Sequence, residues 1–178
     1  HLEFWHPAAQ EGWLLALPQS LQAYWSGAFG WHDQELAAEQ LEAQIERMVN
    51  TYSVDPDQII LAGTGAGAEL ALWLALSGTI NANGLLLINP DGPYLRDKDS
   101  WSKVYDYEQA AERNLRGLVL YDSSAAYIIE ENLDALRQEL RQNGIPLEME
   151  TFTAPSSTGY PEDFIEELPD LIDRVLFG

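Results

Sequence analysis

Residues 55–68 read Asp-Pro-Asp-Gln-Ile-Ile-Leu-Ala-Gly-Thr-Gly-Ala-Gly-Ala, and their reading decides the fold. Gln58–Ala62 is short and aliphatic, the pattern of a strand buried on both faces of a parallel sheet. Ala66–Leu76 is rich in Ala and Leu, which predicts a buried helix. Between them Gly63-Thr64-Gly65-Ala66-Gly67 must carry the chain from strand to helix in one sharp turn. Strand, tight turn and helix in that order are the unit of an α/β protein.

Outward from this unit, aliphatic strands alternate with amphipathic helices. Trp13–Leu17 reads as a strand stopped by Pro18. Asp33 can cap a helix whose apolar positions Leu36, Ala37, Leu41, Ile45, Met48, Val49 and Tyr52 keep helical spacing. Gly84–Ile88 is a further buried strand, broken by Asn89-Pro90-Asp91-Gly92-Pro93. The stretch 93–105 reads as loop, Asp106–Leu115 as a short helix, and Leu118–Tyr121 as a strand. Tyr127–Asn143 is a helix closed by Gly144, and Leu147–Phe152, with Glu148 and Glu150 alternating, is an edge strand. Pro161 opens the last helix, Glu162–Leu176. No repeat or linker divides the chain, so residues 1–178 are expected to form a single domain: a three-layer α/β sandwich on a mostly parallel sheet.

Charge narrows the partners. The 178 residues carry 29 acidic and 9 basic side chains, a net charge of −20. A field of that sign repels phosphate, so neither nucleic acid nor an anionic membrane surface is expected as a partner. The acids are spread over helical faces such as Glu35–Glu46 and Glu130–Glu139, as on a solvated surface. No apolar run is long enough for a membrane span, and the absence of Cys fits a cytoplasmic protein.

The chain resembles the α/β-hydrolase fold, and most closely its small phospholipase/carboxylesterase branch. Gly63-Thr64-Gly65-Ala66-Gly67 is similar to the Gly-x-Ser-x-Gly nucleophile elbow with glycine in place of serine. Tyr52–Gly63 is similar to the family's lead into that elbow. Gly12–Ser20 resembles the family's fourth strand and the loop after it, Trp31-His32-Asp33 its Trp-x-Asp segment, and Tyr160–Phe164 the stretch beyond the catalytic histidine. The likeness covers nearly the whole chain. In the family a further strand, ending in a His-Gly-type loop that supplies half of the oxyanion hole, lies between the counterparts of Trp13–Leu17 and Gln58–Ala62. The resemblance therefore implies residues upstream of His1, or a partner chain, in that gap.

Carried across residue by residue, the resemblance puts the nucleophile position at Gly65, the acid at Ala125 and the histidine at Thr158. A triad needs a hydroxyl to attack, an imidazole to take its proton and a carboxylate to orient the imidazole. Glycine, alanine and threonine supply none of these. The resemblance implies ancestral hydrolysis of carboxylic esters. The residues present lead us to expect a chain without that activity, serving as a small-molecule-binding or interaction scaffold. The Ala66 N–H follows the nucleophile position and would still point at an oxyanion site. With Gly63, Thr64, Trp31 and His32 it forms the expected binding set, and a small ester or carboxylate is the expected ligand. No cofactor or metal is expected, and a homo-oligomer is compatible with the sequence.

Other readings compete for the same residues. Gly63, Gly65 and Ala68 also satisfy Gly-x-Gly-x-x-Ala, a dinucleotide fingerprint, with Asp91 as the nearby ribose-binding acid. A rebuilt serine hydrolase site would pair His32 with Ser123, Ser124, Ser156 or Ser157. Asp97, Asp99 and Asp106 are close in sequence without the spacing of a calcium loop. Trp25, Phe29, Trp31, Tyr94 and Trp101 fall in loops, as packing anchors or as lining of an apolar pocket at the carboxyl ends of the strands.

Overall fold

Four aliphatic segments form one parallel sheet, and they lie side by side in chain order. The computed structural model describes residues 2–23, 29–31, 33–90, 105–125, 130–153 and 159–178. The strands are β1 (Ile60–Thr64), β2 (Gly84–Ile88), β3 (Arg116–Asp122) and β4 (Leu147–Phe152). The helices are α1 (Leu2–Gln10), α2 (Gln34–Thr51), α3 (Ala66–Leu76), α4 (Tyr107–Glu112), α5 (Glu130–Gln142) and α6 (Phe164–Phe177). In register, Thr64 lies beside Ile88 and Ile88 beside Leu120, so the carboxyl ends of the strands are level.

The sheet is parallel because a helix crosses over between each pair of neighbouring strands. Side-chain alternation then divides the core. Leu85, Leu87, Val119 and Tyr121 point to one face, covered by α3, α4 and α5. Leu86, Ile88, Leu118 and Leu120 point to the other, covered by α6 and by Ala8 of α1. Leu85 to Ile88 are all fully enclosed, each contributing about 1.5–3 kcal/mol of apolar burial. This is the three-layer arrangement that continuous aliphatic strands require.

Local signals set the helix ends. The Asp33 carboxylate accepts the Leu36 N–H at 3.0 Å and caps α2, and Asp106 does the same for α4 through the Gln109 N–H at 2.9 Å. The expected strands Gly84–Ile88 and Leu147–Phe152 and the helix Ala66–Leu76 form over those residues. The strand expected at Gln58–Ala62 forms two residues later, as Ile60–Thr64, and α6 begins two residues later than expected, while the start expected for α5 at Tyr127 lies outside the described residues.

Trp13–Leu17 is a correction: it joins no ladder. Trp13 and Leu15 rest against the α1–α6 core, while Leu14 and Leu17 are 45% and 50% exposed. A strand needs a hydrogen-bonding neighbour, and among the described residues β1 pairs only with β2. Accordingly the residues of β1 are half-buried or exposed, in contrast to β2 beside it.

Candidate ligand cleft

The turn out of β1 is sharp. Gly65 has φ +52° and ψ −126°, a backbone conformation costly for any residue bearing a Cβ. Its N–H donates to the Ile88 carbonyl at 3.0 Å, tying the turn to the end of β2. Its carbonyl accepts the Ala68 and Glu69 N–H groups at 3.0 and 3.2 Å and so starts α3. Gly63 is needed for a different reason: a Cβ there would collide with the Gly67 carbonyl and lie 2.6 Å from the Ala68 nitrogen. At Gly67 a Cβ would meet nothing within 4 Å. Two of the three glycines are therefore dictated by geometry, and the third is not.

Helix geometry leaves the N–H groups of Ala66 and Gly67 without an intrahelical acceptor, facing the carboxyl end of the sheet. The positive end of the α3 dipole adds to them. The corner thus presents main-chain N–H groups and no side-chain oxygen at position 65.

Beside it, Asp122 ends β3. Its carboxylate accepts the Ser124 N–H at 2.8 Å and the Ser124 hydroxyl at 2.6 Å, and its carbonyl accepts the Ala125 N–H at 3.0 Å. The loop carrying half-buried Ala125 is thus a hydrogen-bonded turn. Asn89, 6% exposed, fills the space between this loop and the one before α6. Its Nδ2 donates to the Gly159 carbonyl at 3.0 Å, and its Oδ1 accepts the Asp122 N–H at 2.7 Å. Tyr160 is anchored next door, stacked on Phe4 at 4.2 Å and packed against Phe164 at 4.9 Å. Burial pushes its phenol above the usual tyrosine range, opposed by a hydrogen bond with Trp5.

The structure thus gathers Gly63, Thr64, Gly65, Ala66 and Ala125 at one end of the sheet through bonds that run by way of Ile88 and Asn89. Trp31, half-buried, packs against the apolar cluster that Ala37 and Leu41 of α2 form with Leu70, Trp73 and Leu74 of α3. His32, Thr158, Asp91, Ser156 and Ser157 lie outside the described residues, as do Asp97, Asp99, Trp25, Tyr94 and Trp101. Ser123 and Ser124 are exposed, and Asp106 is occupied as a helix cap. Among the described residues no three His, Asp or Glu side chains are placed to hold a metal.

Three buried polar residues went unnoticed as organisers of loops, Asn89 at the cleft and Ser20 and Gln22 before α2. Asn89 read only as a strand breaker. Ser20 and Gln22, 6% and 5% exposed, close the 20–33 segment: the Gln22 carboxamide donates to the Asp33 carbonyl and accepts the Asp33 N–H, both at 2.7 Å. The Ser20 hydroxyl donates to the Gly30 carbonyl at 2.7 Å. The signal available was the presence of polar side chains at the ends of apolar stretches, where burial demands a partner.

Sheet order, layer arrangement and the positive-φ turn from β1 into α3 together give the α/β-hydrolase fold. Solved structures agree. An uncharacterized protein from Bacillus cereus superposes with a TM-score of 0.80 at 26% identity, over 98% of this chain and 54% of that one. The chain therefore spans about half the length of that relative. A Bacillus cereus carboxylesterase gives a TM-score of 0.68 at 15% identity, over 98% of this chain and 81% of its own. YahD, solved with malic acid, gives 0.59 at 13% identity, over 85% and 68%. No protein-family model and no curated sequence matches the chain. No helix of the described residues is long and apolar enough to cross a membrane.

Proposed function

We propose that this chain is a hydrolase-fold protein that binds a small ester or carboxylate without turning it over. The carrying observation is Gly65: the backbone holds the geometry of a nucleophile elbow at a residue with no nucleophile. The amides of Ala66 and Gly67 stabilise a carbonyl or carboxylate oxygen there, as helix N-termini do generally. With alanine at 125 and threonine at 158, nothing in those positions takes a proton or orients a base. A carboxylate ligand accords with malic acid bound to YahD, and the fold with the carboxylesterase neighbour.

Butyrate is the probe. Titrated into labelled protein, it is expected to shift the Ala66 and Gly67 amide resonances saturably at millimolar concentration. Because the net charge of −20 repels anions at long range, that affinity should rise as added salt screens the field. Absence of any saturable shift at those two amides, with butyrate and with butyramide as the neutral counterpart, removes the reading.

A further inference from the structure

Asn89 is one of three buried polar side chains among the described residues, and the one that reaches the cleft from its floor. Its φ of +45° is in the left-handed region, which asparagine tolerates better than most residues but which still costs free energy. That cost is offset by three bonds: the main-chain N–H to the Leu120 carbonyl at 2.9 Å, Oδ1 from Asp122, and Nδ2 to Gly159. The carboxamide fits in one orientation only. Turned over, it would set oxygen against the Gly159 carbonyl and NH2 against the Asp122 N–H.

We propose that Asn89 is a positioning residue that joins the loop after β3 and the loop before α6 into one unit, so that the two sides of the cleft move together. Through this one side chain the Asp122 main chain, three residues before Ala125, is tied to Gly159, five residues before α6. Asparagine is required because the clasp needs one donor and one acceptor on the same planar group. The ligand consequence rests on the function proposed above; the clasp itself does not.

Asn89→Asp keeps the shape and removes only the donor. One oxygen still accepts from Asp122; the other faces the Gly159 carbonyl. The clasp then requires the introduced carboxyl to be protonated, so its folded pKa lies above its unfolded value. The tie is present at low pH and is lost as pH rises through that raised pKa. Among described residues the titratable groups on the two loops are the carboxyl groups of Asp122, Glu162 and Asp163, whose negative charge favours the protonated form of the introduced acid, and Tyr160, which burial keeps neutral in this range.

The experiment follows the Tyr160 ring resonances, which are displaced by the Phe4 ring stacked on them, and the protection factor of the Asp122 amide. In Asn89→Asp, Asp122 protection stays within about threefold of the parent, while the Tyr160 resonances shift at pH 7.5 and return at pH 5. Asn89→Ala loses about tenfold or more in Asp122 protection at both pH values. General destabilisation would loosen both loops alike, and acid would not reverse it. The unaltered protein gives a second reading: the Asn89 Nδ2 protons must exchange at least about tenfold more slowly than those of exposed Asn50. Tyr160 resonances indifferent to Asn89→Asp, or rapid Nδ2 exchange in the parent, overturn the clasp. Butyrate bound by the parent should bind Asn89→Asp about fivefold or more weakly at pH 7.5 than at pH 5, after correction for the parent. If the parent binds no butyrate while the clasp signatures hold, the proposed function fails and the clasp stands.

Discussion

Replacing Gly65 and Gly67 by alanine, one at a time, should move stability in opposite directions. At Gly65 the backbone is held at φ +52° and ψ −126° by the Ile88 carbonyl on one side and the start of α3 on the other. A Cβ in such a region costs about 1–3 kcal/mol, and relaxing φ would break the 3.0 Å bond to Ile88. At Gly67 the added methyl meets nothing within 4 Å, and the position lies inside the first turn of α3. Alanine there removes the entropy that glycine loses on folding, a gain of about 0.5–1 kcal/mol. For a chain of this size each kcal/mol moves the Tm by roughly 2–4 °C. Gly65→Ala should therefore lower the Tm by about 2–12 °C and Gly67→Ala raise it by about 1–4 °C. Urea unfolding followed by Trp fluorescence measures both, with unchanged m-values confirming that the folded state is being compared. Equal and small effects at the two positions would mean that residue 65 is not held in the elbow conformation, and the reasoning about the cleft would fall with it.

Burial pushes Tyr107 up to about 12, with Glu139 adding to it, and raises Tyr121 and Tyr160 as well. The neutral phenols are favoured in the folded state, so their contribution is complete below pH 10 and is lost as pH rises through the folded values. Urea-unfolding free energy should fall between pH 10 and 12, and Tyr107→Phe should flatten that slope. Gln22→Ala removes two 2.7 Å bonds to the Asp33 main chain and should cost about 1–3 kcal/mol, read by the same unfolding assay. Arg174 joins Glu148 at 2.6 Å and Glu150 at 2.8 Å on the outer edge of β4, but all three are solvent-exposed. Arg174→Met should therefore change stability by about 1 kcal/mol or less, while light scattering reports whether the uncharged edge promotes association.

The buried parallel elements were legible because their signals are local. Leu85–Leu87 and Leu70–Leu76 are apolar over their whole length, and burial in the core accommodates that. Asp33 and Asp106 announced helix starts through a single carboxylate–amide bond each. Trp13–Leu17 is as apolar as a buried strand, yet pairing depends on a neighbour that the segment itself does not encode. The elbow was readable from three closely spaced glycines, although sequence alone did not separate Gly63 and Gly65, which geometry requires, from Gly67, which it does not. Asn89 was invisible as a clasp because its partners, Asp122 and Gly159, are 33 and 70 positions away.

The central claim is a hydrolase frame whose reactive groups are gone. Incubation with a fluorophosphonate probe, alongside release of p-nitrophenol from p-nitrophenyl butyrate, tests it most directly. The account predicts no covalent adduct on any serine and no turnover above the buffer rate. A stoichiometric serine adduct, with turnover abolished when that serine is changed to alanine, would contradict it.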